Sequence, residues 1–136
     1  MKKVILFSVL AFLASCDIYL IEEPVPWDDR DMFIGDYRVE EYSQTTDRVF
    51  VYDITVEKAW NRDKEIRIRN FYGVGLDVYG LVNGERLTIP LQEVDGYEIE
   101  GTGKVRGEKL ELTFVARDLY ERPVFADFVD AEGWLY

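Results

Sequence analysis

The 136-residue chain has no histidine and a single cysteine. The commonest zinc sites and Ser–His or Cys–His catalysis are therefore excluded, because each needs an imidazole or a set of thiolates. One cysteine also rules out a disulfide within the chain. Basic side chains are scarce: 16 Lys and Arg stand against 27 Asp and Glu, a formal net charge of −11. Nucleic-acid binding needs a basic footprint, which this composition does not supply. The one long apolar run, Val4 to Ala14, is too short to cross a bilayer as a helix. No window carries a helical period. Aromatic side chains, by contrast, make up 15% of the chain, too many for a disordered polymer. The length suits one domain.

The first residues have a clear order. Met1-Lys2-Lys3 is basic, Val4 to Ala14 is apolar with one interruption at Ser8, and Leu13-Ala14-Ser15-Cys16 follows. The pattern predicts a secretory signal peptide over residues 1–15. LASC resembles the bacterial lipobox, with Leu at −3 and small residues before the chain's one cysteine. That resemblance implies cleavage before Cys16 and a diacylglycerol thioether on its sulfur, usually with an added acyl chain such as palmitate. Two or more chains make the anchor stable. Loss of the signal leaves 14 basic against 27 acidic side chains, a net charge of −13. That charge repels anionic lipid, so the acyl chains have to do the anchoring. The expected location is extracytoplasmic, in the cell envelope, lipid-anchored to a bacterial membrane, the outer membrane first. Asp17 directly after the cysteine resembles an inner-membrane retention signal in some Gram-negative bacteria and a surface-export signal in others.

Residues 16–31, from Cys16 through DIYLIEEPVPWDDRD, are expected to form a tether. Pro24 and Pro26 favour extended chain, and the carboxylates keep it solvated. Asp28, Asp29 and Asp31 lack the spacing of a calcium loop.

Residues 32–136 predict a single all-β domain. Asn83-Gly84 and Asp95-Gly96 are hairpin turns, where both positions tolerate positive φ. Between and around them the apolar residues alternate. Phe33, Gly35, Tyr37 and Val39 share one face, as do Phe50, Tyr52, Ile54 and Val56. Ile66 and Ile68 follow, then Leu76, Val78, Gly80 and Val82, then Leu87, Ile89 and Leu91. Tyr97, Ile99, Gly101, Gly103 and Val105 come next, and Leu110, Leu112, Phe114 and Ala116 are the cleanest set. Pro90 marks an edge, a bulge or a strand end. Gly101 and Gly103 on an inner face indicate a sharp bend or the close approach of another group. Val124 to Val129 and Gly133 to Tyr136 read as an eighth strand and a closing segment. About eight short strands at this spacing predict an antiparallel up-and-down meander closed as a small barrel or packed as a sandwich.

Phe33-Ile34-Gly35-Asp36-Tyr37, the N-x-x-L-T-I-P run from Asn83 to Pro90, and Gly101-x-Gly103 resemble the small lipocalin-like (calycin-like) lipoproteins of Gram-negative bacteria. Tyr37 stands where the lipocalin opening Gly-x-Trp has its tryptophan. The resemblance covers roughly residues 33–129 and implies a lipocalin-like barrel.

The chemistry on offer is binding rather than catalysis. The inward aromatics Tyr37, Phe50, Tyr52, Tyr97 and Phe114 are the candidate ligand pocket, in a barrel just wide enough for one small ligand or for its own side chains. Phe71 and Tyr72, before Gly73-Val74-Gly75, are placed to gate its mouth. Trp60 and Trp134 either plug the barrel end or offer an interface anchor, and Trp60 is the candidate partner contact. Glu40 and Glu41 point to opposite faces of a strand, and Glu98 and Glu100 face outward, so neither pair suits acid–base work on a sugar. The leading expectation is a non-catalytic, lipid-anchored module without cofactor or metal that binds a small apolar or amphipathic ligand. The alternative is an acidic protein-interaction or inhibitor module of the envelope with a cationic protein partner.

Overall fold

The computed structural model describes residues 27–136. Cys16, the expected signal peptide and most of the expected tether lie outside them. Eight strands follow one another round a closed antiparallel barrel: β1 Gly35–Ser43, β2 Arg48–Lys58, β3 Glu65–Phe71, β4 Leu76–Asn83, β5 Arg86–Val94, β6 Tyr97–Arg106, β7 Lys109–Asp118 and β8 Phe125–Leu135. Each strand pairs with the next in sequence, and β8 returns to β1 from Tyr37↔Leu135 to Ser43↔Val129. The sandwich alternative is thereby set aside. Closure leaves no free sheet edge running the length of the fold.

The meander gives the barrel two distinct ends. The β1–β2, β3–β4, β5–β6 and β7–β8 turns form the mouth. The β2–β3, β4–β5 and β6–β7 turns form the base, where both termini of the barrel lie. A 3-10 turn, Asp29–Met32, docks there. Asp28 caps it by accepting from the Arg30 amide at 3.0 Å. The Arg30 side chain grips Asp28 and donates to the carbonyls of Arg62 at 2.8 Å and Glu65 at 3.2 Å. Asp28 and Asp31 both pair with Lys58, and Asp29 with Lys64. Asp28 to Asp31, read from composition as tether, are thus bound to the barrel. Their carboxylates find basic partners on the β2–β3 hairpin that no local pattern announces.

The interior is filled from the base upward. Phe33 is sealed under the base, and every strand adds to one core, including Tyr37, Val39, Ile54, Ile68, Phe71, Val78, Ile89, Ile99, Leu112, Phe114 and Val129. The period-two alternation is the reason: each strand turns its apolar face to the axis, while the outward set is mostly polar with Val51, Tyr79, Leu81, Phe128 and Trp134 among its exposed apolar members. Tyr37 satisfies its buried phenol by donating to the Phe33 carbonyl at 2.9 Å.

Two readings of strand detail are corrected. The C-terminal stretch is one strand, not two segments: Asp127, Val129, Ala131 and Gly133 keep inward parity throughout β8, and the acidic residues within it hide that continuity. Leu91 does not follow Leu87 and Ile89 inward but is exposed. The register slips between Ile89 and Gln92, around Pro90, so the phase of β5 changes there.

Two ladders are short, and both stop well below the mouth. β2 pairs with β3 only from Thr55↔Arg69 to Lys58↔Ile66, and β4 with β5 only from Leu81↔Thr88 to Asn83↔Arg86. Above these points side chains bridge the gaps. Asn70 Nδ2 donates to the Asp53 carbonyl at 2.8 Å. Gln92 accepts from the Tyr79 amide at 3.1 Å and donates to its carbonyl at 3.0 Å.

Candidate functional site

At the mouth the packed interior gives way to a pocket of about 320 Å³, lined by Glu41, Phe50, Val51, Tyr52, Tyr72, Gly73, Val74 and Tyr97. β1 delivers Glu41 because position 41 continues the inward parity of Tyr37 and Val39. β2 delivers Phe50 and Tyr52 from the half that β3 does not cover. β6 delivers Tyr97, its first residue. The β3–β4 turn delivers Tyr72, Gly73 and Val74.

That turn has a demanding backbone. Tyr72 has a φ of 64°, a left-handed conformation that is costly for a bulky residue. Gly73 follows at φ 68°, and a Cβ there would lie 2.9 Å from the Tyr52 ring. A side chain at this position would press into the pocket wall, so glycine is required for both reasons.

The floor of the pocket is aromatic. Tyr72 stands edge-on to Tyr97 at 5.8 Å and to Phe114 at 6.0 Å, and Phe114 in turn rests on Phe71 at 4.5 Å. The polar groups form two tied sets. Tyr52 donates its phenol to Oε1 of Glu41. Tyr72 donates to Oδ2 of Asp127, and Ser43 donates to Oδ1 of the same carboxylate at 2.5 Å. Glu41, Ser43 and Asp127 are the buried polar side chains among the described residues.

The electrostatics follow from that burial. Desolvation pushes the Glu41 carboxyl up from 4.5 to about 7; the Tyr52 bond pulls it down, and the Asp127 charge pushes it further up. Burial also raises the Tyr52 and Tyr72 phenols well above their ordinary range, and bonding to carboxylates adds to the rise. Both phenols are therefore donors at neutral pH.

The five residues proposed from sequence are divided by the structure. Phe50, Tyr52 and Tyr97 line the pocket. Tyr37 lies in the core towards the base, and Phe114 lies in the core beneath the pocket. Of the pair placed to gate the mouth, Phe71 is buried and Tyr72 lines the pocket. Trp60 and Trp134 plug neither end. Trp60 is 88% exposed in the β2–β3 turn, and Trp134 sits on the outer face near the Lys109 ammonium, 5.8 Å from it. Glu41 entered the sequence reading only as half of a pair unsuited to acid–base work and Asp127 not at all, although strand parity from Tyr37 and Val39, and from Val129, carries both inward. A hollow of about 380 Å³ on the outside of β5 to β7 is lined chiefly by outward residues, among them Arg86, Thr88, Lys104 and Glu111, and does not enter the barrel.

Among the described residues no group of three or more acidic or cysteine side chains is arranged to hold a metal ion. No protein-family model, curated protein or solved structure matches the chain.

Proposed function

We propose that the chain is a lipid-anchored, extracytoplasmic, non-catalytic binding module of the lipocalin-like kind, which takes a small amphipathic molecule into the mouth of its barrel. The observation that carries this reading is the pocket itself: an aromatic wall with a few convergent polar groups, at the one end of the barrel the core does not fill. Ligand sites are commonly concave, largely apolar and pre-formed in this way, and barrel mouths are a frequent setting for them. The filled core limits the guest to the mouth, so a compact ligand fits the reading and a long buried chain does not. The anchor rests on the lipobox pattern ending at Cys16 and the basic and apolar residues before it.

Native mass spectrometry of the chain after incubation with a total lipid and metabolite extract tests the reading. The expected result is a reproducible mass addition, lost in Val74→Trp, which fills the mouth from an exposed position. A bare mass from the unaltered protein overturns it.

A second reading, a protein-interaction module, is favoured by the tryptophans at the opposite end. Trp60 is 88% exposed and Trp27 72% exposed, both close to the base. Large exposed aromatics are frequent anchors of interfaces. With the acidic charge of the chain they suit a basic protein partner. Such a partner is expected to be recovered in a pull-down at low salt and lost with Trp60→Ala.

A further inference from the structure

We infer that the mouth pocket takes a small amine, its ammonium group on Glu41 and its apolar body against Phe50, Tyr52, Tyr72 and Tyr97. The inference rests on the ligand-binding reading above and adds the head group to it.

Glu41 is 2% exposed, yet it lines the pocket. Among the described residues its carboxylate accepts one hydrogen bond, from Tyr52 to Oε1. No described side-chain nitrogen or oxygen that is sealed from solvent lacks a partner. Oε2 is therefore the atom that still reaches the pocket, and it is unpartnered. A buried carboxylate with an unused oxygen is costly for a protein to keep, and here the free lone pairs face the space where a guest sits.

The second carboxylate sharpens the requirement. Asp127 is buried too, and its charge acts on Glu41. Its own oxygens are taken by Ser43 and Tyr72. These hydroxyl donors satisfy geometry but leave the negative charge in place. No lining side chain is basic. Ionised Glu41 thus places a negative charge that no lining base offsets within aromatic walls, and an ammonium bound there favours that form over the neutral carboxyl that burial promotes. An alcohol would fill the open lone pair and leave the charge. A carboxylic acid would be repelled. An ammonium group supplies a charge-assisted donor for Oε2, and the rings around it offer their negative faces. Tyr72 holds its strained backbone at this place with its phenol fixed on Asp127, which keeps its ring standing in the wall.

The test is titration calorimetry of the full chain with three probes that share one body: phenethylamine, phenethyl alcohol and phenylpropionate. The amine is expected to bind about tenfold tighter than the alcohol, and the acid weakest. In Glu41→Gln the ratio of amine to alcohol affinity is expected to fall several-fold, because the side chain loses its charge whatever happens to the hydrogen bond the alcohol makes there. Asp127→Asn lowers amine affinity by a smaller factor. The ranking of the three probes on the unaltered protein decides the matter even where a variant fails to fold. Alcohol binding as tight as amine binding overturns the inference, as does a Glu41→Gln protein that keeps the preference. Silence with all three probes also overturns it, and a mass addition from the extract in the same protein would show that the pocket itself survives that failure.

Discussion

Tyr52 reaches from β2 to donate its phenol to Oε1 of Glu41 on β1, and in doing so holds a buried carboxyl beside a second one, Asp127. A folded-state value raised from 4.5 to about 7 makes ionisation of Glu41 unfavourable to folding. Its contribution to stability is complete below about pH 4.5 and is lost as the pH rises through about 7. The groups facing it are Tyr52, Tyr72, Tyr97 and Asp127, and burial keeps the three phenols protonated across that window. Glu41→Gln removes the titration. The stability of the variant minus that of the parent is expected to grow by on the order of 2 kcal/mol between pH 5 and pH 8. Urea unfolding at the two pH values measures it, and an unchanging difference would refute the assignment.

Gly101 lies opposite Phe114 on the neighbouring strand, and a Cβ there would sit 2.4 Å from the Thr113 carbonyl oxygen and 2.5 Å from the Phe114 Cβ. Neither obstacle is the tip of a flexible side chain. Gly101→Ala is expected to cost about 2–3 kcal/mol. Gly84→Ala is the control, since nothing lies within 4 Å and only the φ of 61° opposes it, at about 1 kcal/mol. Equal losses in the two variants would sink the steric account.

Arg30 ties the N-terminal turn to the β2–β3 hairpin at the base. Arg30→Met keeps the aliphatic stem and deletes the donors to Asp28, Arg62 and Glu65. A loss of about 2 kcal/mol is expected, with faster amide exchange at Phe33, whose amide bonds to the Arg30 carbonyl at 2.9 Å. Ligand uptake at the far end should be unaltered. Loss of the mass addition in this variant would show that the two ends are coupled.

The proposed anchor requires the chain's one cysteine, so Cys16→Ala is expected to move the protein from the membrane fraction to the soluble one. Fractionation followed by immunoblotting reads it out. A variant that stays with membranes would rule out the lipid anchor.

The barrel was legible because its signals are local. Asp95-Gly96 sets a turn with both residues at positive φ, Gly84 sets another with Glu85 (one residue on from the expected pair, since Asn83 stays in β4 opposite Arg86), and Leu110, Leu112, Phe114 and Ala116 set a face, without reference to anything distant. The site was less legible. Phe50, Tyr52 and Tyr97 announce an aromatic lining, but Tyr37 does so equally and ends in the core, since alternation gives the face of a side chain and not its height along the barrel axis. Glu41 and Asp127 break the apolar rhythm at strand ends, where a charged residue reads as the edge of the element. Only the closure of β8 onto β1 brings them to one place. Pro90 announced an irregularity whose direction, outward for Leu91, depends on the pairing with β6.

A barrel joined equally on every side has a fixed girth. In this one the β3–β4 hairpin, which carries Tyr72 and Val74, is stitched to its neighbours by backbone only towards the base, through the short ladders on either flank. Nearer the mouth it is held by side chains: Asn70 on the Asp53 carbonyl, Gln92 on Tyr79, and the Tyr72 phenol on Asp127 across the barrel. The rim is therefore adjustable where the body is not. A guest slightly too large can strain those side-chain ties and leave every ladder intact.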